Sequence, residues 1–136
     1  MEAAIAATET AYAPYSNFHV GAAVLLADGT VLTGSNQENV AYPSGMCAER
    51  TALFSASAQK PDQAVTALAV VGRDGTGQLT DASPCGACRQ VLSEYETRYD
   101  RQVTVYMYLT GGRIRRVEGV KNLLPFLFEA DLKPLA

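Results

Sequence analysis

The sequence predicts an α/β protein: a three-layer α-β-α sandwich around a mixed five-stranded sheet. Three observations carry this. Short apolar runs of strand length alternate with longer helical stretches. Turn signals of the Asp-Gly and Gly-Gly type mark antiparallel hairpins at both ends of the chain. Between them, strands separated by helices favour a parallel pair with a right-handed crossover. No linker, internal repeat or low-complexity tract interrupts the order, so residues 1–136 read as one domain.

Glu2 to about Tyr12 reads as an Ala-rich helix ended by Pro14. Tyr15-Ser16-Asn17-Phe18 is a polar-aromatic turn. His19 to Ala27 reads as a buried strand and Thr30 to Ser35 as its partner across Asp28-Gly29. Ser44-Gly45 precede a helix from about Met46 to Ala58, stopped by Lys60-Pro61. Ala64 to Val71 is an apolar strand followed by a Gly-rich loop. Pro84 opens a helix through about Thr97, because proline suits the first helical position. Val103 to Leu109 is a core strand, turned by Gly111-Gly112 into a short strand over Ile114 to Val117. A last helix is expected near Val120 to Leu124.

Composition narrows the function classes. Of 136 residues, 48% are apolar and 18% charged, enough to bury a core without a disulfide framework. Acids outnumber bases 14 to 11, giving a net charge of −3. That balance disfavours a polymeric nucleic-acid partner, which calls for a basic face. No run approaches the apolar length of a membrane span, and the N-terminal stretch, broken by Glu2 and Glu9, does not read as a signal peptide. The three cysteines cannot all pair, and a reducing cytoplasm is the expected location.

Those cysteines carry the chemistry. Cys47 begins Cys47-Ala48-Glu49, and the other two lie in Pro84-Cys85-Gly86-Ala87-Cys88, all at expected helix starts. There the helix dipole favours thiolates, the form a zinc ion requires. A C-x-x-C pair alone is shared by redox and structural-zinc sites. The upstream C-x-E, however, leaves a redox reading with Cys47 and Glu49 unexplained. A closed structural site needs a fourth ligand, and the single histidine, His19, falls in a strand where a half-exposed structural role is expected. Three thiolates leave zinc one open position, the mark of a catalytic site. Glu49 can stand beside the metal and move protons. Three sulfur ligands blunt the metal's charge, and Arg50 is the candidate to compensate by donating to a thiolate. Asn36-Gln37-Glu38-Asn39 reads by itself first as a polar turn, although Asn36 and Glu38, two apart on an extended strand end, face the same way and would also suit a vicinal diol.

The pair C-A-E and P-C-G-A-C matches the three-Cys form of the zinc deaminase signature. Ala11-Tyr12-Ala13-Pro14-Tyr15-Ser16-Asn17-Phe18, Val20-Gly21-Ala22-Ala23, Gly34-Ser35-Asn36-Gln37-Glu38-Asn39, Cys47-Ala48-Glu49-Arg50-Thr51-Ala52, Pro84-Cys85-Gly86-Ala87-Cys88-Arg89-Gln90 and Leu123-Leu124-Pro125 together resemble the small homotetrameric cytidine deaminases. The likeness runs over most of Ala11 to Phe128. It implies a cytidine deaminase-like fold, one zinc per chain on Cys47, Cys85 and Cys88, and Glu49 as proton shuttle. The implied reaction is attack of activated water on C4 of free cytidine or 2′-deoxycytidine, releasing ammonia, in pyrimidine salvage. It further implies that Asn36 and Glu38 bind the ribose hydroxyls, that Phe18 packs on the base, and that the backbone of Ala48 and Ser83 meets the base edge. Tyr42 and Phe128 are implied to act across a subunit interface of a homotetramer. Two departures stand out: Gln37, where the family usually has an apolar residue, and an N-terminal helix shorter than usual.

Overall fold

The computed structural model describes residues 1–129; residues 130–136, part of the single-domain expectation, lie outside the described residues. The elements run α1 (Glu2–Ala7), β1 (His19–Leu26), β2 (Val31–Ser35), α2 (Ala48–Gln59), β3 (Val65–Arg73), β4 (Leu79–Thr80), α3 (Gly86–Tyr99), β5 (Thr104–Leu109) and β6 (Arg113–Glu118). The main sheet path is β2-β1-β3-β5-β6, with β3 and β5 parallel and the other neighbours antiparallel.

Among the described residues the sheet has six strands rather than the expected five. The addition is β4, which pairs with β3 through Gly72 and Thr80. Its two residues are too few for a hydrophobic period, so the stretch reads as loop. A tight turn makes the pairing possible: one Asp74 carboxylate oxygen accepts from the amides of Thr76 and Gln78 at 2.9 and 3.0 Å. The first helix also ends earlier than expected. Thr8 and Thr10 donate their hydroxyls to the carbonyls of Ile5 and Ala7, and the chain tightens into a 3-10 turn over Thr8–Thr10. At the other end, the helix expected near Val120 to Leu124 is a 3-10 turn over Val120–Asn122. Helix α3 starts two residues after Pro84, because Cys85 takes the extended N-cap position.

Alternation along the strands makes two apolar layers. Ala22, Val24, Leu26, Leu68, Val70, Val105 and Met107 meet α2 and α3 through Ala52, Leu53, Ala56, Leu92 and Tyr95. Their neighbours Ala23, Ala69 and Val71 turn to the other face and meet Ala4 of α1. Helices on both faces give the expected three layers. Helix α2 lies very close to β2 at Gly34, where a Cβ would come 2.5 Å from the Ala52 amide nitrogen. This seat fixes where the N-terminus of α2 stands. No described helix is long and apolar enough to cross a membrane.

Candidate active site

Helices α2 and α3 point their N-termini at the same spot. Cys47 is the N-cap of α2, Cys85 is the N-cap of α3, and Cys88 lies in the first turn of α3. Their sulfurs lie within 4.8 Å of one another, with Cys47 and Cys85 at 3.8 Å and Cys85 and Cys88 at 3.5 Å. A tetrahedral zinc with Zn–S bonds of about 2.3 Å holds its sulfurs about 3.8 Å apart. The donor set therefore fits one zinc per chain, and the three thiols are those named from the sequence.

The charges at the site point the same way. A hydrogen bond from Cys88, helped by the Arg50 guanidinium, brings the Cys47 thiol down to about 5. Cys88 is pushed up in turn by its bond to Cys47, by burial and by the nearby Glu49 carboxylate. Three crowded sulfurs thus share little negative charge by themselves, and a dication is the group that would ionise all of them. Arg50 donates from Nη2 to Cys47 Sγ at 3.3 Å. Among the described residues no carboxylate pairs with it, and its buried Nε has no partner. Its positive charge is aimed at sulfur, and the bond to Cys47 holds its pKa above the usual guanidinium range.

Glu49 sits one position into α2, 4% exposed, and burial pushes its carboxyl up to about 7. A group that exchanges its proton near neutrality suits both halves of a proton transfer. It lines a cleft of about 1000 Å³ together with Cys47, Cys85 and Arg50. The same cleft is lined by Phe18, Asn36, Glu38, Tyr42, Ala48 and Ser83, so residues far apart in the chain are brought to one cavity. Phe128 does not line it: the ring is 77% exposed, and its carbonyl accepts from Gln90 at 2.9 Å. Tyr42 lines its own chain's cleft at the mouth, edge-on to Tyr15 with ring centroids 5.7 Å apart.

Backbone bonds hold the far wall. The Asn36 amide accepts from the Val20 N–H and donates to the Phe18 carbonyl, both at 2.8 Å. It keeps one N–H and one lone pair for a ligand. Glu38 accepts from the amides of Tyr15 and Ser16 and from the Ser16 hydroxyl, which holds its carboxyl below the usual range. Gln37 also lines the cleft, and its side-chain amide donates to the Ser35 hydroxyl at 3.1 Å and the Thr10 carbonyl at 3.4 Å. Gly72 on β3 makes room for Phe18: a Cβ there would meet the Phe18 ring at 2.6 Å.

Asp81, which lines the cleft, and Arg89, which does not, have roles that sequence reasoning missed. Asp81 accepts from the amide and hydroxyl of Thr110, which ties the segment before Ser83 to the β5–β6 turn. Arg89 donates to the carbonyls of Pro84 at 2.8 Å and Leu123 at 2.6 Å, bracing the loop of Cys85. Arg89 stood inside the recognised P-C-G-A-C-R-Q stretch, but its partners are 5 and 34 residues away and only the fold reveals them.

Comparison with known proteins agrees with this geometry. Residues 1–106 match the cytidine and deoxycytidylate deaminase zinc-binding region. The chain is 44% identical over 128 residues to the cytidine deaminase of Halalkalibacterium halodurans, covering 94% of this chain and 90% of that one. Against the cytidine deaminase of Sporosarcina psychrophila it is 45% identical over 125 residues, covering 92% and 85%. Its fold superposes on the crystal structure of cytidine deaminase from Burkholderia pseudomallei with a TM-score of 0.79 and 44% identity, over 93% of this chain and 94% of that one. A sulfur triad built for zinc and agreement along nearly the whole chain lead to one conclusion: this protein belongs to the zinc-dependent cytidine deaminase family.

Proposed function

We propose that the protein deaminates free cytidine and 2′-deoxycytidine to uridine and 2′-deoxyuridine, releasing ammonia, in pyrimidine salvage. The observation that carries this reading is Glu49 in one cleft with the Cys47 and Cys85 sulfurs and a polar wall of Asn36 and Glu38. Cys47, Cys85 and Cys88 would hold the zinc, which when bound would supply a water acidic enough to react near neutral pH. Glu49 takes a proton from the attacking water and delivers it to ring N3; it then takes the proton of the hydroxyl added at C4 and gives it to the amine, which leaves as ammonia while C4 becomes a carbonyl. The Phe18 ring packs on the base, and the backbone of Ala48 and Ser83 contacts its edge. Asn36 and Glu38 receive the ribose hydroxyls, with Tyr42 beside the sugar. Arg50 offsets thiolate charge through its bond to Cys47.

Charge supports a nucleoside over a nucleotide. Among the described residues lining the cleft the acids are Glu38, Glu49 and Asp81, and the one cation, Arg50, is engaged by sulfur. A 5′-phosphate would find no counter-charge there. Homotetrameric assembly is supported by exposed aromatics: Phe126 and Phe128 are 97% and 77% exposed, and Tyr42 is 74% exposed. Such residues want a partner's surface, and Phe128 completes a neighbour's cleft. Thiol ligands favour a reducing cytoplasm.

The test is loss of cytidine and 2′-deoxycytidine absorbance with ammonia release, run beside the 5′-monophosphates and zinc analysis. Glu49→Gln should keep its zinc while kcat falls by about 10²–10⁴. Turnover that survives the change would overturn the shuttle role, and equal rates on the monophosphates would overturn the nucleoside reading.

A further inference from the structure

The proposed ribose site rests on Glu38, yet that carboxylate is largely committed to its own chain. Oε1 accepts two backbone amides, Tyr15 N at 2.9 Å and Ser16 N at 3.2 Å. Among the described residues Oε2 accepts a single donor, the Ser16 hydroxyl, at 2.5 Å. A carboxylate oxygen accommodates about two donors. Oε1 is therefore full, and Oε2 alone keeps room for a substrate hydroxyl.

The same Ser16 oxygen has a second duty. It accepts from the Phe18 N–H at 3.1 Å, while the Phe18 carbonyl accepts from Asn36 Nδ2 at 2.8 Å. Glu38, Ser16, Phe18 and Asn36 thus form one chain of bonds, and all four line the cleft. Two of them are the proposed ribose ligands and one is the aromatic proposed to pack on the base. Ser16 links the two walls.

We propose that Ser16 is a positioning residue, its hydroxyl orienting Glu38 Oε2 for the ribose diol. The inference rests on the ribose role proposed above for Asn36 and Glu38. Its physical basis is torsional. The last torsion of a Glu side chain is broad and weakly restrained. Two backbone amides anchor Oε1 and so restrain that torsion, but coupled motion of the earlier torsions still lets the carboxylate tilt about Oε1. The Ser16 hydroxyl removes this freedom, so the remaining acceptor direction of Oε2 is set before substrate arrives. A hydroxyl is required because the group must donate to Glu38 and accept from Phe18 together.

Ser16→Ala keeps both backbone amide bonds to Glu38 Oε1 and leaves the exposed Phe18 N–H to water. With it, KM for cytidine should rise about tenfold, the size of one hydrogen bond to a charged group, with kcat within about twofold. Ser16→Thr keeps a hydroxyl and should restore KM. If Ser16 acts through Glu38, adding Ser16→Ala to Glu38→Ala should raise KM less than about twofold further. The melting temperature of each protein controls for folding. An unmoved KM in Ser16→Ala, a full tenfold penalty in the Glu38→Ala background, or a loss of kcat together with melting temperature would overturn the inference. If the unaltered protein leaves cytidine untouched, the functional reading falls and the inference with it. An active unaltered protein with unmoved KM in Ser16→Ala rejects the inference alone.

Discussion

Replacing Gly34 with alanine should damage the site without altering any residue that lines it. A Cβ on Gly34 would come 2.5 Å from the Ala52 amide nitrogen and 2.7 Å from the Ala48 carbonyl oxygen. Both obstacles are backbone of α2, so neither can swing aside. Ordinary contact begins at about 3.5 Å, and the helix must retreat by about 1 Å to regain it. Overpacking of this kind costs about 1–3 kcal/mol. For a chain of this size that lowers Tm by about 3–12 °C. The consequence for function is larger. Helix α2 carries Cys47 and Glu49, whereas α3 carries Cys85 and Cys88, and β2 ends just before Asn36. A shift of α2 alone pulls one sulfur from the other two and moves Glu49 away from the strand-held ribose wall. A displacement near 1 Å in a catalytic geometry costs about 10²-fold in rate. Thermal unfolding, zinc retained after dialysis against a chelator, and initial rates on cytidine would be measured side by side. A Gly34→Ala protein with unchanged melting, zinc retention and kcat would refute the claim that this close seat of α2 positions the site.

Two further outcomes follow from the geometry. Arg50→Ala removes the donor to Cys47, so the thiolates should release zinc to a chelator faster; stripping at an unchanged rate would count against charge compensation. Phe128→Ala removes an exposed ring that lies outside its own chain's cleft. KM should rise by about tenfold or more, the loss expected when a buried aromatic contact is truncated at an interface. An active monomer at high dilution, with Phe128→Ala silent, would reject assembly as part of the site.

What was legible in the chain and what was not divides along a physical line. The order of elements is written locally, in apolar period, in Asp28-Gly29 and Gly111-Gly112, and in the helix-starting cysteines. These signals need only near neighbours, and the main sheet path and both helical layers match them. The errors are also local. β4 is too short for a period, and Thr8 and Thr10 tightened the end of α1 by bonding back to the chain. The zinc chemistry was readable because ligand types and spacings are discrete and few combinations fit a three-thiol site.

The rest depended on contacts between distant segments. Cys47 and Cys85 are 38 positions apart, and only the seating of α2 and α3 on one sheet face brings their sulfurs to 3.8 Å. Burial, which raises Glu49 to about 7, belongs to the packed protein and to no motif. Gly34 and Gly72 look like ordinary strand glycines until α2 and Phe18 lie against them. The sequence by itself determined the residue types and the elements that present them, because those follow from local propensity and chemistry. Tertiary structure alone decided which lone pairs remain free on Asn36 and Glu38, because hydrogen-bond saturation is set by whichever backbone folds against them.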